Sequence, residues 1–249
     1  MNIEVEILKQ KYKVNLKAGI DISIPLSDSL DQVNCFYAPL FKSEPVRMGT
    51  FVGSVLEGGP VNFNNILLNV HGNGTHTECI GHLTKELISV NSILKEYVFI
   101  NHLISVTPEK KINGDLVIEK QTLEPILIDL NIQTLTIRTL SNDILKRSKK
   151  YSGTNPIYFS KDAMDYIVSK NVKHLLVDIP SVDREEDNGL LLAHRSFWKD
   201  ERALNCTITE LIYVPNEVPD GVYLLLLQAA PMELDAVPSR PILYPLTYE

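Results

Sequence analysis

The stretch His71-Gly72-Asn73-Gly74-Thr75-His76-Thr77-Glu78-Cys79-Ile80-Gly81-His82 concentrates chemistry that the rest of the chain lacks. It holds three of the six histidines, with a carboxylate between two of them. Imidazole and carboxylate together suit zinc, manganese or iron. His76 and Glu78 are two residues apart; in extended backbone such side chains share a face, so both can reach one ion. Gly72 and Gly74 permit the backbone to turn tightly around a site. His82, four residues past Glu78, can point back into the same pocket as an acid or base, or add another ligand. Cys79 would face away from His76 and Glu78 and reads as a small packed thiol. The plain alternative is a glycine-rich turn bearing surface histidines.

Outward from this stretch, Asn62 to Val70 reads as a strand running directly into His71. A strand over Val46 to Val55 precedes it, with Gly58, Gly59 and Pro60 as the turn between them. Ile20 to Leu26 alternates and ends as a short strand. Leu83 to Leu94 carries Leu83, Leu87, Ile88, Val90 and Leu94 at a spacing that predicts a helix. Tyr97 to Val106, Leu135 to Thr139, His174 to Asp178 and Val222 to Gln228 read as further strands. Asp143 to Lys149 reads as a helical turn, and Ser160 as the cap of a helix through Lys170. There are too many early strands for a pure βαβ alternation. The expected class is therefore mixed α/β (α+β), with a mixed sheet and helices on one side. Without repeats, low-complexity tracts or a linker, one domain over residues 1–249 is expected.

Composition narrows the functional classes. A hydrophobic share of 44% over 249 residues supplies a substantial core without disulfides. The formal net charge of -7, with scattered Lys and Arg, argues against a nucleic-acid surface. Cys35, Cys79 and Cys206 are odd in number and far apart, which suits free thiols in a reducing compartment. The acidic N-terminus lacks a signal-peptide pattern, and no apolar stretch approaches the roughly 20 residues of a membrane span. A cytoplasmic protein acting on a small molecule is expected, with neither nucleic acid nor membrane as partner.

The stretch from Gly74 to His82 resembles the signature His-x-Gly-Thr-His-x-Asp-x-Pro-x-His of the cyclase family of metal-dependent hydrolases, which includes bacterial kynurenine formamidase and isatin hydrolase. Gly74, Thr75, His76 and His82 are kept. Asp21-Ile-Ser-Ile-Pro-Leu26 is similar to the family's opening Asp-Leu-Ser-x-Pro-Leu. Val177-Asp178-Ile-Pro-Ser-Val-Asp183 is similar to its Ile-Asp-Thr-Pro-Ser-Val-Asp, and Ala193-His194-Arg195 matches the motif that follows. Thr209-Glu210-Leu211 and Pro238-Ser239-Arg240 resemble its later motifs. Three departures stand out. Gly72 occupies the place of the family's leading histidine, with His71 one residue upstream; Glu78 replaces Asp; Ile80 replaces Pro. A one-residue shift on a strand turns a side chain to the other face. His71 is therefore expected to reach the site through a bulge at the glycines.

The resemblance implies a layered β/β/α swivelling-type domain and a divalent metal, zinc or manganese, as one or two ions. It implies His71, His76, Glu78, His194 and Glu210 as metal ligands, and His82, His194 and Glu210 as catalytic residues. It implies a metal-dependent hydrolase of a small amide, formamide, cyclic amide or lactone, possible arylformamidase chemistry included, in which a histidine moves the proton. A lyase or cyclase, or a binding protein with a degenerate site, is the alternative. A homodimer or homotetramer is implied as well. Asp178 and Asp183 read as organisers of the turn after a strand, the rest of the Asp183 to Asp187 loop as solvated, and His102 and His174 as structural. Since neutral imidazole binds metal, protonation below about pH 6.5 is expected to loosen the ion.

Overall fold

The computed structural model describes residues 1–7, 9–128 and 132–248. Seven strands close into a barrel: β1 (His76–Glu78), β2 (Val98–Val106), β3 (Thr134–Thr139), β4 (His174–Val177), β5 (Thr207–Glu210), β6 (Gly221–Ala229) and β7 (Ala236–Tyr248). Their order is β7-β6-β2-β3-β4-β5-β1, and β1 pairs back onto β7. The junctions from β2 to β5 are parallel. The others are antiparallel, so the sheet is mixed, as the sequence indicated. Closure depends on the length of β7. Its first residues pair with β1, its middle with β6, and its end with the N-terminal hairpin Asn2–Ile7 and Gln10–Asn15.

Alternation along the strands sorts the core into two layers. On β4, Leu175 and Val177 join one apolar cluster and Leu176 the other. The first cluster takes in the buried faces of helices α2 (Lys120–Leu127), α3 (Lys161–Ser169) and α4 (Leu192–Phe197), which follow the short α1 (Val70–Asn73) in the chain. The second fills the barrel with Leu103, Leu225, Leu227, Val237 and Leu243. Two barrel walls and one helical layer make the β/β/α arrangement. On α3, Ala163, Met164 and Ile167 form the buried stripe. Ser160 caps that helix by accepting the Ala163 amide at 3.2 Å, as its sequence suggests.

Several local expectations change. Over Leu83 to Leu94, the α-helix is confined to Val90–Ile93. The backbone there bonds outward instead: the Val90 amide donates to the Leu234 carbonyl and the Cys79 thiol to the Ile88 carbonyl. Leu87, one of the residues that suggested a helical stripe, is 78% exposed. The strand expected over Asn62 to Val70 shortens to Asn64–Leu67, because Asn69 caps α1. Val46 to Val55 resolves into the tight pair Arg47–Met48 and Phe51–Val52, and Ile20 to Leu26 keeps a strand at Ile20–Asp21 and a single antiparallel bridge from Ser23 to Ile212. Asp143 caps a 3-10 turn over Ile144–Arg147. Among the described residues, no helix is long and apolar enough to cross a membrane.

These placements separate two leucines. Leu175 is fully buried between strands and helices. Leu175→Ala is expected to cost about 2–5 kcal/mol in denaturant unfolding, as large-to-small core changes do. Leu87→Ala is expected to stay within about 0.5 kcal/mol. Equal losses would contradict the burial of the one and the exposure of the other.

Candidate metal centre

The register around β1 builds the site. Glu210 on β5 lies directly opposite His76, and Ile208 opposite Glu78. With a period of two, His76, Glu78 and Glu210 all point to the helical side of the sheet. Thr77 faces the other way, where its hydroxyl meets that of Thr209 at 2.8 Å. Cys79 packs inside the barrel, where burial pushes its thiol up to about 11. It is a packed thiol, as its position on the strand suggests.

His194 reaches the same face from α4. The start of that helix is tied down by Asp183, whose carboxylate accepts the Ala193 amide at 2.7 Å and the His194 amide at 3.0 Å. Asp183 also lies 2.6 Å from His194 Nδ1. Its part is thus larger than the turn-organising one expected, for it orients a site histidine. His194 Nε2 then stands 3.0 Å from Glu78 Oε1 and 3.8 Å from Glu210 Oε1. Trp198, four residues on, packs beside the His194 imidazole and donates its indole N–H to the Cys206 carbonyl.

His71 arrives by a route the sequence did not suggest. It sits on α1, a single helical turn, and no strand bulge is involved. The Asn69 side chain accepts the Gly72 amide at 2.9 Å and starts that turn. Gly72 is fixed by packing: a Cβ there would lie 2.5 Å from the Ala38 Cβ. The strand rule that threatened to turn His71 away does not apply to a helical residue. His71 Nδ1 comes to 3.3 Å from Glu78 Oε2. Glu78 thus spans two histidines, one with each oxygen. Ile80, at the signature's proline position, begins a 3-10 turn over Ile80–Leu83 that carries His82.

All six expected residues, His71, His76, Glu78, His82, His194 and Glu210, therefore meet in one place. His71, Glu78, His82, His194 and Glu210 line a cleft of about 560 Å³ whose rim includes Phe36 and Tyr37. One residue was missed. Asp235 Oδ2 lies 3.3 Å from both His71 Nε2 and His82 Nδ1. It stands just before the Pro238-Ser239-Arg240 motif, but its contacts cross more than 150 residues, and spacing gives no sign of them. The Asp183 to Asp187 loop is also less free than expected: Glu185 accepts the amides of Gly153 and Asn155, and Asp187 those of Gly189 and Leu191. His174 lies away from the site, buried against Phe99 and Thr207. Burial pushes its imidazole down to about 4. His102 is shifted downward by burial as well.

Charge in the site is strongly coupled. Burial opposes ionisation of Glu78, yet the His194 charge and the hydrogen bonds from His194 and His71 hold it well below the usual carboxylate range. Burial opposes charge on His194 too, but Glu78 and Asp183 outweigh it and raise the imidazole to about 10. His71 is raised to about 10 against its own burial by Asp235 and Glu78. His76 differs. Its Nδ1 lies 3.0 Å from the Gly74 carbonyl, which only an N–H can satisfy. The buried Nε2 has no hydrogen-bond partner among the described residues and lies 3.5 Å from Glu210 Oε2. An imidazole nitrogen and carboxylate oxygens facing one another form the donor set of a cation site. The donors fit a divalent metal ion: imidazole nitrogens and carboxylate oxygens, with a carboxylate or carbonyl behind His194 and His76 to fix each tautomer. Ligand-type atoms of His71, His76 and Glu78 lie within 4.8 Å of one another, as do those of Glu78, His82 and His194.

The Cyclase family model matches residues 20–184, which takes in the whole His71–His82 stretch. Kynurenine formamidase of Bacillus anthracis is 26% identical over 192 residues, covering 76% of this chain and 83% of that protein. Isatin hydrolase A from Ralstonia solanacearum superimposes with a TM-score of 0.66 at 14% identity, over 91% of each chain. An isatin hydrolase bound to the product analogue thioisatinate superimposes with a TM-score of 0.64 at 12% identity, over 93% of this chain and 92% of that one. At such identities the two structures establish likeness of fold. With two thirds of its length matched by the family model, the chain belongs to the Cyclase family.

Proposed function

We propose that this protein is a metal-dependent hydrolase of a small amide, a formamide or cyclic amide above all, with zinc or manganese as its ion. The carrying observation is the buried Nε2 of His76, beside Glu210 and without a hydrogen-bond partner among the described residues. Likeness to kynurenine formamidases, whose name describes cleavage of a formamide, supports the same reading. His71, His76, Glu78, His194 and Glu210 would hold the ion. Bound there, a divalent ion polarises a carbonyl and lowers the pKa of water from 15.7 toward about 7.

The chain's own residues do the rest. Asp183 holds His194 in one tautomer, and the Gly74 carbonyl does so for His76. Val182 donates its amide to Glu210 at 2.9 Å and keeps that carboxylate turned toward His194. His82 lies at the cleft, about a third exposed. It is placed to take a proton from the attacking water and to return it to the leaving nitrogen, a role that typically contributes about 10²–10⁴-fold. Phe36 and Tyr37 at the rim suit a flat apolar body beside the scissile bond. An aryl formamide meets these demands.

The direct test is hydrolysis of an aryl formamide by protein with and without a chelator, alongside elemental analysis. Activity that follows metal content is expected. Glu78→Asp is the telling variant, because Glu78 spans His194 and His71. The shorter side chain is expected to lose one contact and to lower metal affinity, even though Asp is the family's usual residue. Turnover that ignores the chelator would contradict the site, and unchanged metal content in Glu78→Asp would show that the longer side chain is incidental.

The raised histidines set the pH dependence. His71 and His194 have folded-state values of about 10, above the ordinary 6.5, so both carry protons at pH 7 before metal arrives. Protonation in the metal-free protein favours folding, fully below about pH 6.5 and progressively less as pH rises toward 10. Metal must displace those protons. Affinity is therefore expected to rise with pH well past the window suggested by an ordinary histidine. Calorimetric titration at pH 7.5 in two buffers of different ionisation enthalpy reads the protons released. A heat independent of buffer would contradict the assignment.

A further inference from the structure

Two of the site's histidines converge on one carboxylate. Asp235 Oδ2 is 3.3 Å from His82 Nδ1 and 3.3 Å from His71 Nε2. We propose that Asp235 is the positioning residue for His82: it accepts the Nδ1–H and so leaves Nε2 as the atom that takes the proton. A neutral imidazole carries one donor and one acceptor nitrogen, and its partner decides which is which. The inference rests on the hydrolase reading for its purpose, but its geometry stands independently.

The backbone is built to bring Asp235 there. Its carbonyl accepts the Cys79 amide at 3.0 Å, immediately before the turn that carries His82. One residue earlier, the Leu234 carbonyl accepts the Val90 amide at 2.9 Å. Glu233 accepts the Ser89 hydroxyl at 2.6 Å and the Asn91 side chain at 2.9 Å. The segment before β7 is thus fastened to both sides of the His82 turn. Gly81 completes the fit. A Cβ at Gly81 would lie 2.0 Å from the Ile88 carbonyl oxygen and 3.1 Å from the Asp235 Cβ. Only glycine lets the His82 turn pass this close to the Ile88 carbonyl, with Asp235 packed alongside.

The same carboxylate oxygen faces His71 Nε2, which leaves His71 Nδ1 toward Glu78 Oε2. One side chain thereby aligns the proton-carrying histidine and a proposed ligand. Its loss would reach metal affinity through His71 and rate through His82, and the two effects are separable at saturating metal.

The test uses full-length protein labelled with 15N-histidine, in which two-bond 1H–15N spectra report the His82 tautomer without reference to activity. The Nδ1–H tautomer is expected in the unaltered protein and is expected to be lost in Asp235→Ala. Asp235→Glu, which keeps a carboxylate, is expected to restore it. In parallel, hydrolysis of an aryl formamide at saturating metal should show a lower kcat with little change in KM for Asp235→Ala. In a His82→Ala background the same substitution should cost nothing further, because residues acting as one unit are not additive. An unchanged His82 tautomer in Asp235→Ala would overturn the proposal. So would an equal rate loss with and without His82. If no amide is turned over, the hydrolase reading fails, while the tautomer spectra still decide the role of Asp235.

Discussion

Two buried carboxylates, Glu78 and Glu210, project from neighbouring strands to one side of the sheet, and both come within reach of His194 Nε2. Taking an ionised carboxylate out of water costs several kcal/mol unless charge and hydrogen bonds compensate. The surrounding structure supplies that compensation. His194 and His71 hold protons against their own burial, and Val182 lends a backbone amide to Glu210. At His76 the Gly74 carbonyl takes the Nδ1 proton, and the buried Nε2 has no hydrogen-bond partner among the described residues. Protonated histidines balance the carboxylates without metal, and a divalent ion would replace those protons and engage His76 Nε2 as well.

The barrel's closure serves this constraint. β1 is only three residues long, yet it is clamped between β5 and the start of β7. From β5 it receives Glu210, and from the segment before β7 it receives Asp235. Thr75, one residue before β1, accepts the Ile24 amide at 2.7 Å and donates its hydroxyl to the Leu211 carbonyl. Asp21 is joined to Arg240 at 2.7 Å. Motifs scattered from Asp21 to Arg240 are therefore parts of one joint around the site.

What could be read from the sequence follows from the range of each interaction. The shared face of His76 and Glu78 is a property of extended backbone, visible from a spacing of two. The Ser160 cap is equally local. The convergence of His194 and Glu210 came from motif order, since no periodicity links residues so distant. His71 shows the limit of a local rule: alternation would turn it away, but Asn69 makes the segment helical and the rule lapses. The helix expected over Leu83 to Leu94 failed because backbone donors and acceptors found partners outside the segment, at Leu234 and Cys79. Asp235 was invisible for the same reason, its partners lying far back along the chain.

In the proposed metal site, the face of β1 bearing His76 and Glu78 would hold the ion through nitrogen and oxygen alone, with Cys79 turned into the barrel. X-ray absorption spectroscopy on protein purified without added metal tests it most directly. The expected spectrum is of a metal whose nearest neighbours are nitrogen and oxygen, at about 2.0–2.2 Å if the ion is zinc, with the outer-sphere scattering of imidazole. A sulfur shell near about 2.3 Å, or a first shell without imidazole, would contradict it.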